Sequence, residues 1–316
     1  MNNENQQAIE ALKQVALASI QEQRSSRRWG IFFKLAAFLL LLLLILALIS
    51  SVFSKNVKLT SAKEYTAVVD INGIILQGAS ASADNIIPAL QDAFKDEKAK
   101  GIILRCNSPG GSPVQSSYIY DEIRRLKSLH KDKKIIAVAA DLCASGGYFI
   151  ISAADEIYAN KSSLVGSIGV RMTGFGVVEA MKKIGIESRE LTAGKHKAIM
   201  DPFSPRKPEE EAFIKKLLAT THTHFIDAVK AGRGERLKDD PDIFSGLFWT
   251  GEGAKELGLI DGFGSDAYVA REIIKAPVMI NFSPKQGFFD KLSKKVSTNI
   301  KTWLFESKNN PYSLLY

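Results

Sequence analysis

Short unbroken apolar runs alternate along this chain with longer stretches whose apolar residues recur at every third or fourth position. The runs predict strands over Tyr65–Ile71, Gly101–Cys106, Lys134–Ala140 and Glu156–Ala159. The periodic stretches predict helices. Asn85–Phe94 aligns Ile86, Ile87, Leu90, Ala93 and Phe94 on one face, and Val114–His130 does the same with Ile119, Ile123 and Leu126. Further helices are expected from near Ser145, carrying Tyr148, Phe149 and Ile151, over Val177–Ile184, Pro208–Ala231 and Gly253–Leu257, and near Ala267–Ile274. Strands that are apolar throughout and separated by helices predict a parallel sheet in an α/β domain. Sites in such sheets form at the carboxyl ends of the strands. Two loops with paired glycines lie there, Asn107–Ser112 and Leu142–Gly147.

A different pattern precedes the domain. Ile31 to Phe53 is apolar except for Lys34, Ser50 and Ser51, and it is polyleucine from Leu39 to Leu44. About 20 apolar residues suffice to cross a bilayer. A cleaved signal peptide would have a shorter apolar region and an Ala-x-Ala-like site after it. Neither is found, so an uncleaved anchor is expected. The chain then divides into a cytoplasmic segment (1–30), a transmembrane anchor (31–53), a linker (54–63), the folded domain (64–282) and a basic tail (283–316). Arg24, Arg27 and Arg28 before the span are balanced by Lys55, Lys58 and Lys63 after it. Lys34 tips the orientation to N-inside, with the large C-terminal part outside the cytoplasm. In the tail, Phe289, Leu292, Val296, Ile300 and Trp303 share one helical face among lysines. That predicts an amphipathic helix, lying on a membrane surface or packed on its own domain or a partner.

Composition changes this picture little. The 316 residues carry a net charge of +8, and no basic run is interleaved with aromatics. Nucleic acid is therefore not an expected partner, and a lipid surface accounts better for the surplus. The two cysteines, Cys106 and Cys143, each end an apolar run and read as buried small side chains, with a disulfide as the less favoured alternative. No metal-ligand cluster or nucleotide loop is visible, so neither metal nor cofactor is expected.

The candidate chemistry sits in the two loops. Ser145 falls where a strand turns into a helix, followed by two glycines. This suits an exposed nucleophile; the plain alternative is a helix N-cap. Pro109, Gly110 and Gly111 form a loop able to aim N–H groups at one point, as an oxyanion requires, or simply a tight turn. A serine hydroxyl needs a base. Of the histidines, His130, His222 and His224 read as solvated, while His196 adjoins Lys197 and is the serious rival, with a Cys143–His196 pair also open. A lysine serves as base only when neutral, which burial or a neighbouring cation favours. Lys197 has apolar Ala198, Ile199 and Met200 beside it and Lys195 nearby. Its plain alternative is a surface charge.

Four motifs occur in order: Asn107-Ser-Pro-Gly-Gly111, Ala144-Ser-Gly-Gly-Tyr148, Val165-Gly-Ser-Ile-Gly169 and Gly194-x-x-Lys197. Together they resemble the bacterial signal peptide peptidase A family, in its short form with one catalytic domain, over roughly Tyr65 to Phe282. The resemblance implies a Clp-protease/crotonase-like fold of ββα units. It implies that Ser145 is the nucleophile, Lys197 the general base and Ser167 the residue orienting Lys197. Gly110 or Gly111, with Gly146, would form the oxyanion hole. It further implies a homo-oligomeric ring in the bacterial inner membrane, with serine and lysine drawn from neighbouring subunits. The N-terminus would be cytoplasmic and the catalytic domain periplasmic or extracytoplasmic. The implied activity is serine endopeptidase cleavage of hydrophobic peptides, remnant signal peptides above all. A non-catalytic scaffold of the same fold, a crotonase-like acyl-CoA enzyme, and a protease of misfolded membrane proteins are the competing readings.

Overall fold

The computed structural model describes Lys13, residues 27–46 and residues 64–284. They fall in two units, Met1–Ser61 and Ala62–Tyr316. In the first, helix α1 (Arg27–Leu46) has 20 residues, a hydropathy of 2.6 and no buried residue in its most apolar window. At 1.5 Å per residue it is about 30 Å long, the thickness of a bilayer's hydrocarbon core. The rest of the expected span, the linker and the amphipathic tail helix lie outside the described residues.

The second unit is built on parallel strands with helices between them. In order come β1 (Tyr65–Asn72), α2 (Ala83–Lys95), β2 (Ala99–Ser108), α3 (Pro113–Leu129), β3 (Ile135–Ala144) and α4 (Gly146–Ile151). Then follow β4 (Glu156–Ala159), β5 (Leu164–Gly166), α5 (Val178–Lys183), α6 (Pro208–Arg233), β6 (Phe248–Thr250), α7 (Gly251–Glu256), β7 (Gly262–Phe263) and β8 (Met279–Asn281). The sheet runs β6-β5-β3-β2-β1-β8, with β4 set against β3 and β7 against β4. All pairs are parallel except β5 with β6. This is the expected α/β class, consistent with the ββα plan of a Clp-protease-like fold.

The long elements form for the reasons their patterns suggest. Ile86, Leu90 and Phe94 of α2, and Ile119, Ile123 and Leu126 of α3, are buried in the main core with Ile102 and Leu104 of β2. Val68, Ile103, Ile136 and Val138 point the other way, against Val269, Ala270 and Ile274. Covering both faces is why β2 has no polar alternation. The expected last helix is a short turn, Asp266–Tyr268, continued by a π-helical segment, Val269–Ile273.

Strand β3 departs from expectation in a way that matters. It continues past Ala140 to Ala144. Its first half pairs with β4, from Ile136 to Ala139, and its last residues pair with β5, from Leu142 to Ala144. Asp141 breaks the apolar run where the strand is changing partners. Cys106 and Cys143, expected as separate buried residues, are joined in a disulfide. Both are fully buried, on adjacent strands.

One ion pair fastens α6 to the sheet. Arg233 is 1% exposed. Its guanidinium donates to Asp261 at 2.7 and 3.0 Å and to the Gly258 carbonyl at 2.9 Å. Asp261 also accepts the Ile157 N–H of β4 at 2.7 Å. Burial pushes the Asp261 carboxyl up, but the Arg233 guanidinium and the Ile157 N–H outweigh it and hold it below its ordinary range. Asp261→Ala strands a buried cation and should cost about 3–5 kcal/mol in urea unfolding at neutral pH. Because the folded pKa is the lower one, the wild type keeps this stabilisation above the ordinary carboxylate pKa of about 3.9 and loses it as pH falls further. The two unfolding curves should therefore converge in acid, and parallel curves would show that the pair contributes nothing.

Candidate active site

The carboxyl end of β3 delivers Ser145. Its backbone is left-handed, φ 53° and ψ −123°, and its side chain makes no cap to α4. The N-cap alternative therefore has no hydrogen bond behind it. Such a conformation in a serine costs about 1–3 kcal/mol and persists only where its surroundings enforce it. Here the Ser145 N–H donates to the Gly166 carbonyl at 2.8 Å, at the end of β5. Ser167, next along, is also left-handed at φ 55°, and its N–H donates to the Leu247 carbonyl at 2.7 Å. Two strained serines thus stand at neighbouring strand ends.

The end of β2 brings the other loop against them. Gly110 has φ +96°, and a Cβ there would lie 2.7 Å from both the Gly146 nitrogen and the Ser145 Cβ. A Cβ on Gly111 would lie 2.0 Å from the Ile75 carbonyl oxygen, and one on Gly146 would lie 2.5 Å from Ser116 Oγ. The loops meet backbone to backbone, which only glycine allows. The loop is stitched in place by Ile75, whose N–H donates to the Gly110 carbonyl at 3.0 Å and whose carbonyl accepts Ser112 N–H at 2.7 Å.

Sequence leaves Gly110 and Gly111 as alternative donors; the hydrogen bonds separate them. The Gly110 N–H donates to Ser108 Oγ at 3.1 Å, and that hydroxyl donates to the Gly73 carbonyl at 2.6 Å. The N–H groups of Gly111 and Gly146 have no acceptor among the described residues. They are the two unpaired donors that these loops bring together beside Ser145.

These residues open into a cleft of about 1100 Å³ that also reaches Ser167. Ile74, Val114, Tyr118, Phe149 and Phe225 give it an apolar wall. Arg171, His222 and His224 line it too, and among the described residues no carboxylate does. His222, read from sequence as solvated, is half-buried, and its Nε2 donates to the Ile168 carbonyl at 3.1 Å. His130 is half-buried against the Phe94 ring. Nothing in the polar composition of α6 marks His222 as different from His224.

Lys197 does not line this cleft. It is exposed, in the turn-rich stretch 193–200, and so is His196. Cys143 is consumed in its disulfide, so a Cys143–His196 pair is not available. The Lys197 turn is tied to α6 by Glu210, which accepts the Met200 N–H at 3.3 Å and the Lys207 Nζ at 3.1 Å. Lys207 and the Met200 N–H hold the Glu210 carboxyl below its ordinary range. In the run Glu209-Glu-Glu211 nothing in the sequence singles it out. Among the described residues no cluster of His, Cys, Asp and Glu is arranged to hold a metal.

The family model described as "Peptidase family S49" matches residues 127–276. A protein of Methanocaldococcus jannaschii, named as a candidate protease, is 34% identical over 244 residues, covering 73% of this chain and 78% of that protein. The "Serine protease SPPA, chloroplastic" of Arabidopsis thaliana is 30% identical over 215 residues, 65% of this chain and 31% of that one. The "Na(+)/H(+) antiporter NhaA" of Brucella melitensis is 48% identical over 202 residues, 62% of this chain. The match spans 27% of that antiporter's length.

The close approach of the loops is directly testable. Gly110→Ala places a methyl against backbone atoms and should separate Ser145 from the free N–H pair. The rate at which a fluorophosphonate labels Ser145 should fall by about a hundredfold or more, the usual cost of a lost oxyanion donor. Circular dichroism should stay native. Undiminished labelling would show that the loops are not packed in this way.

Proposed function

Given that the chain belongs to peptidase family S49, we propose that it is a membrane-anchored serine endopeptidase, with Ser145 as nucleophile and Lys197 as general base. The observation that carries this reading is the uncapped, left-handed Ser145 beside the free N–H groups of Gly111 and Gly146. Ser145 Oγ attacks the substrate carbonyl as neutral Lys197 takes its proton. The carbonyl oxygen becomes an oxyanion and accepts from both N–H groups, each such donor contributing about 2.7–4 kcal/mol in the transition state. Lys197 then protonates the leaving amine, and the acyl-enzyme forms. Water, deprotonated by Lys197, releases the product acid. Ser167, at the rim of the same cleft, orients the lysine amine by hydrogen bonding.

Lys197 of one chain lies outside its own cleft, so the base reaches the Ser145 of a neighbouring copy. Two observations support such a homo-oligomer, which we take to be a ring. No residue from Arg171 to Glu209 is buried. That stretch exposes Phe175 at 78%, Ile184 at 70% and Leu191 completely. Apolar patches of this kind mark interaction surfaces. A neighbour covering them would also remove water from Lys197, which favours its neutral form.

The substrates are hydrophobic peptides, including signal peptides left after secretion, because the cleft wall is apolar and, among the described residues, carries no carboxylate. Helix α1 is the anchor, crossing a bacterial inner membrane with the N-terminus in the cytoplasm. A buried disulfide is at home in an oxidising compartment, which favours an extracytoplasmic catalytic domain.

The test is hydrolysis of a hydrophobic fluorogenic peptide by the full chain in detergent. Ser145→Ala and Lys197→Ala should each lower kcat by about three orders of magnitude or more. Co-assembly of the two inactive variants should restore activity, since a site formed between copies regains one intact pair. No recovery in demonstrably mixed assemblies would place the dyad within one chain. Full activity of Lys197→Ala would overturn the lysine base and make His196 the next suspect.

A further inference from the structure

We infer that Cys106 and Cys143 are positioning residues for the reaction: their disulfide clamps the oxyanion loop to the nucleophile loop and so holds the transition-state geometry. The inference rests on the reading of Ser145 as nucleophile. Cys106 is the last residue of the regular part of β2, and the loop bearing Gly110 and Gly111 follows it. Cys143 precedes Ser145 and Gly146 at the end of β3. The bridge therefore joins the two strand ends from which the reacting groups project.

The backbone pairing between β2 and β3 is interrupted just before these ends. The β2–β3 ladder is regular up to Cys106 with Ala139, and then resumes at Ser108 with Cys143. Over that interval β2 advances from 106 to 108 while β3 advances from 139 to 143. The extra residues on β3 are where it changes partner from β4 to β5. Across the irregular stretch, one side-chain bond helps, from the Leu142 N–H to Asn107 Oδ1, and at 3.3 Å it is long. The disulfide is the covalent tie at the point where register is lost.

The bridge also touches the site. A Cβ on Gly147 would lie 3.1 Å from Cys106 Sγ, 3.4 Å from Cys143 Sγ and 3.3 Å from the Ser108 carbonyl oxygen. The sulfurs thus pack under the first turn of α4, whose Gly146 N–H is one of the two free donors. The carbonyl of Ser108, whose hydroxyl holds Gly110, borders the same Gly147 position. Both cysteines are 0% exposed. Reduction by a dithiol transfers two electrons and two protons, breaks the S–S bond and leaves two thiols in the same closed space. Nothing else covalent then fixes Gly111 relative to Ser145 and Gly146.

A bridge that serves stability alone and one that serves geometry differ in kinetics. The experiment compares full-length wild type with Cys106→Ala/Cys143→Ala in detergent, well below the melting temperature of each, with near-UV circular dichroism as the check on folding. The expected result is a kcat lower by about tenfold to a hundredfold, the penalty for a small misplacement of reacting groups. Affinity for a peptide boronate, which forms the tetrahedral adduct on Ser145, should fall by a similar factor. KM should stay within about twofold, because ground-state binding is untouched. A folded variant with wild-type kcat and boronate affinity would overturn the inference. If the double variant does not fold, the same quantities are read on wild type reduced with dithiothreitol and then reoxidised: reversible loss of kcat supports the clamp, and an unchanged kcat with both thiols titrated sinks it. Failure of the boronate to bind oxidised wild type would instead overturn the role of Ser145.

Discussion

Two parallel strands, β2 and β3, must end so close together that the loops leaving them touch through backbone atoms. At Gly110, Gly111 and Gly146 there is no room for a Cβ, and Gly110 lies against both the Gly146 nitrogen and Ser145. The left-handed Ser145, the Ser108 hydroxyl under Gly110 and the Ile75 hydrogen bonds across the loop all exist in service of this approach. Each is a modest interaction. Their effect is to make one arrangement of two N–H groups far cheaper than its neighbours, which in the proposed mechanism would spare any reorganisation as charge develops.

The sheet meets this constraint by giving β3 two sets of partners. Near its start it is an ordinary central strand, apolar on both faces, between β2 and β4. Near its end it has left β4 and joined β5, and β5 supplies the Gly166 carbonyl that holds the Ser145 N–H. A strand that switches partners loses register where it switches, and the loss falls just before Ser145. The cross-link between Cys106 and Cys143 sits at that point. The buried Arg233–Asp261 pair plays a parallel role farther away, fixing α6 and hence His222 on the far wall of the cleft.

What was legible in the sequence follows from the range of the forces involved. β1, β2, α2 and α3 are long enough for burial to write a period into them, and most of the apolar positions read from that period are buried. β5, β6, β7 and β8 are three residues or shorter, and no period can be read from so few positions. Ser145 was visible because a serine before two glycines at a strand end is a local pattern. The choice between Gly110 and Gly111 was not, because it turns on where the Ser108 hydroxyl points. The disulfide is only the less favoured reading of the sequence, because it depends on a register irregularity between strands of which sequence carries no trace. His222 and Glu210 lie in polar stretches of one helix, and only tertiary contacts distinguish them from their neighbours.

The chain divides its chemistry unevenly. Ser145 and the glycine N–H groups are embedded in strands and helices whose side chains are fully buried, so their geometry is bound to the global stability of the domain. Lys197 belongs to a segment that buries nothing of its own, from Arg171 to Glu209, and is attached to α6 through Glu210. A segment without buried apolar contacts has little intrinsic stability, and its conformation is decided by whatever covers it. Its lysine also stands in water, outside the cleft of its own chain. In the proposed mechanism both defects have the same remedy, since a neighbouring copy that covers the apolar face of this segment would order it and dehydrate its lysine together. Catalytic competence would then be a property of assembly rather than of folding, and a monomer would carry a finished oxyanion hole with no proton acceptor. On that reading Ser145 would stay idle until a neighbouring copy is in place.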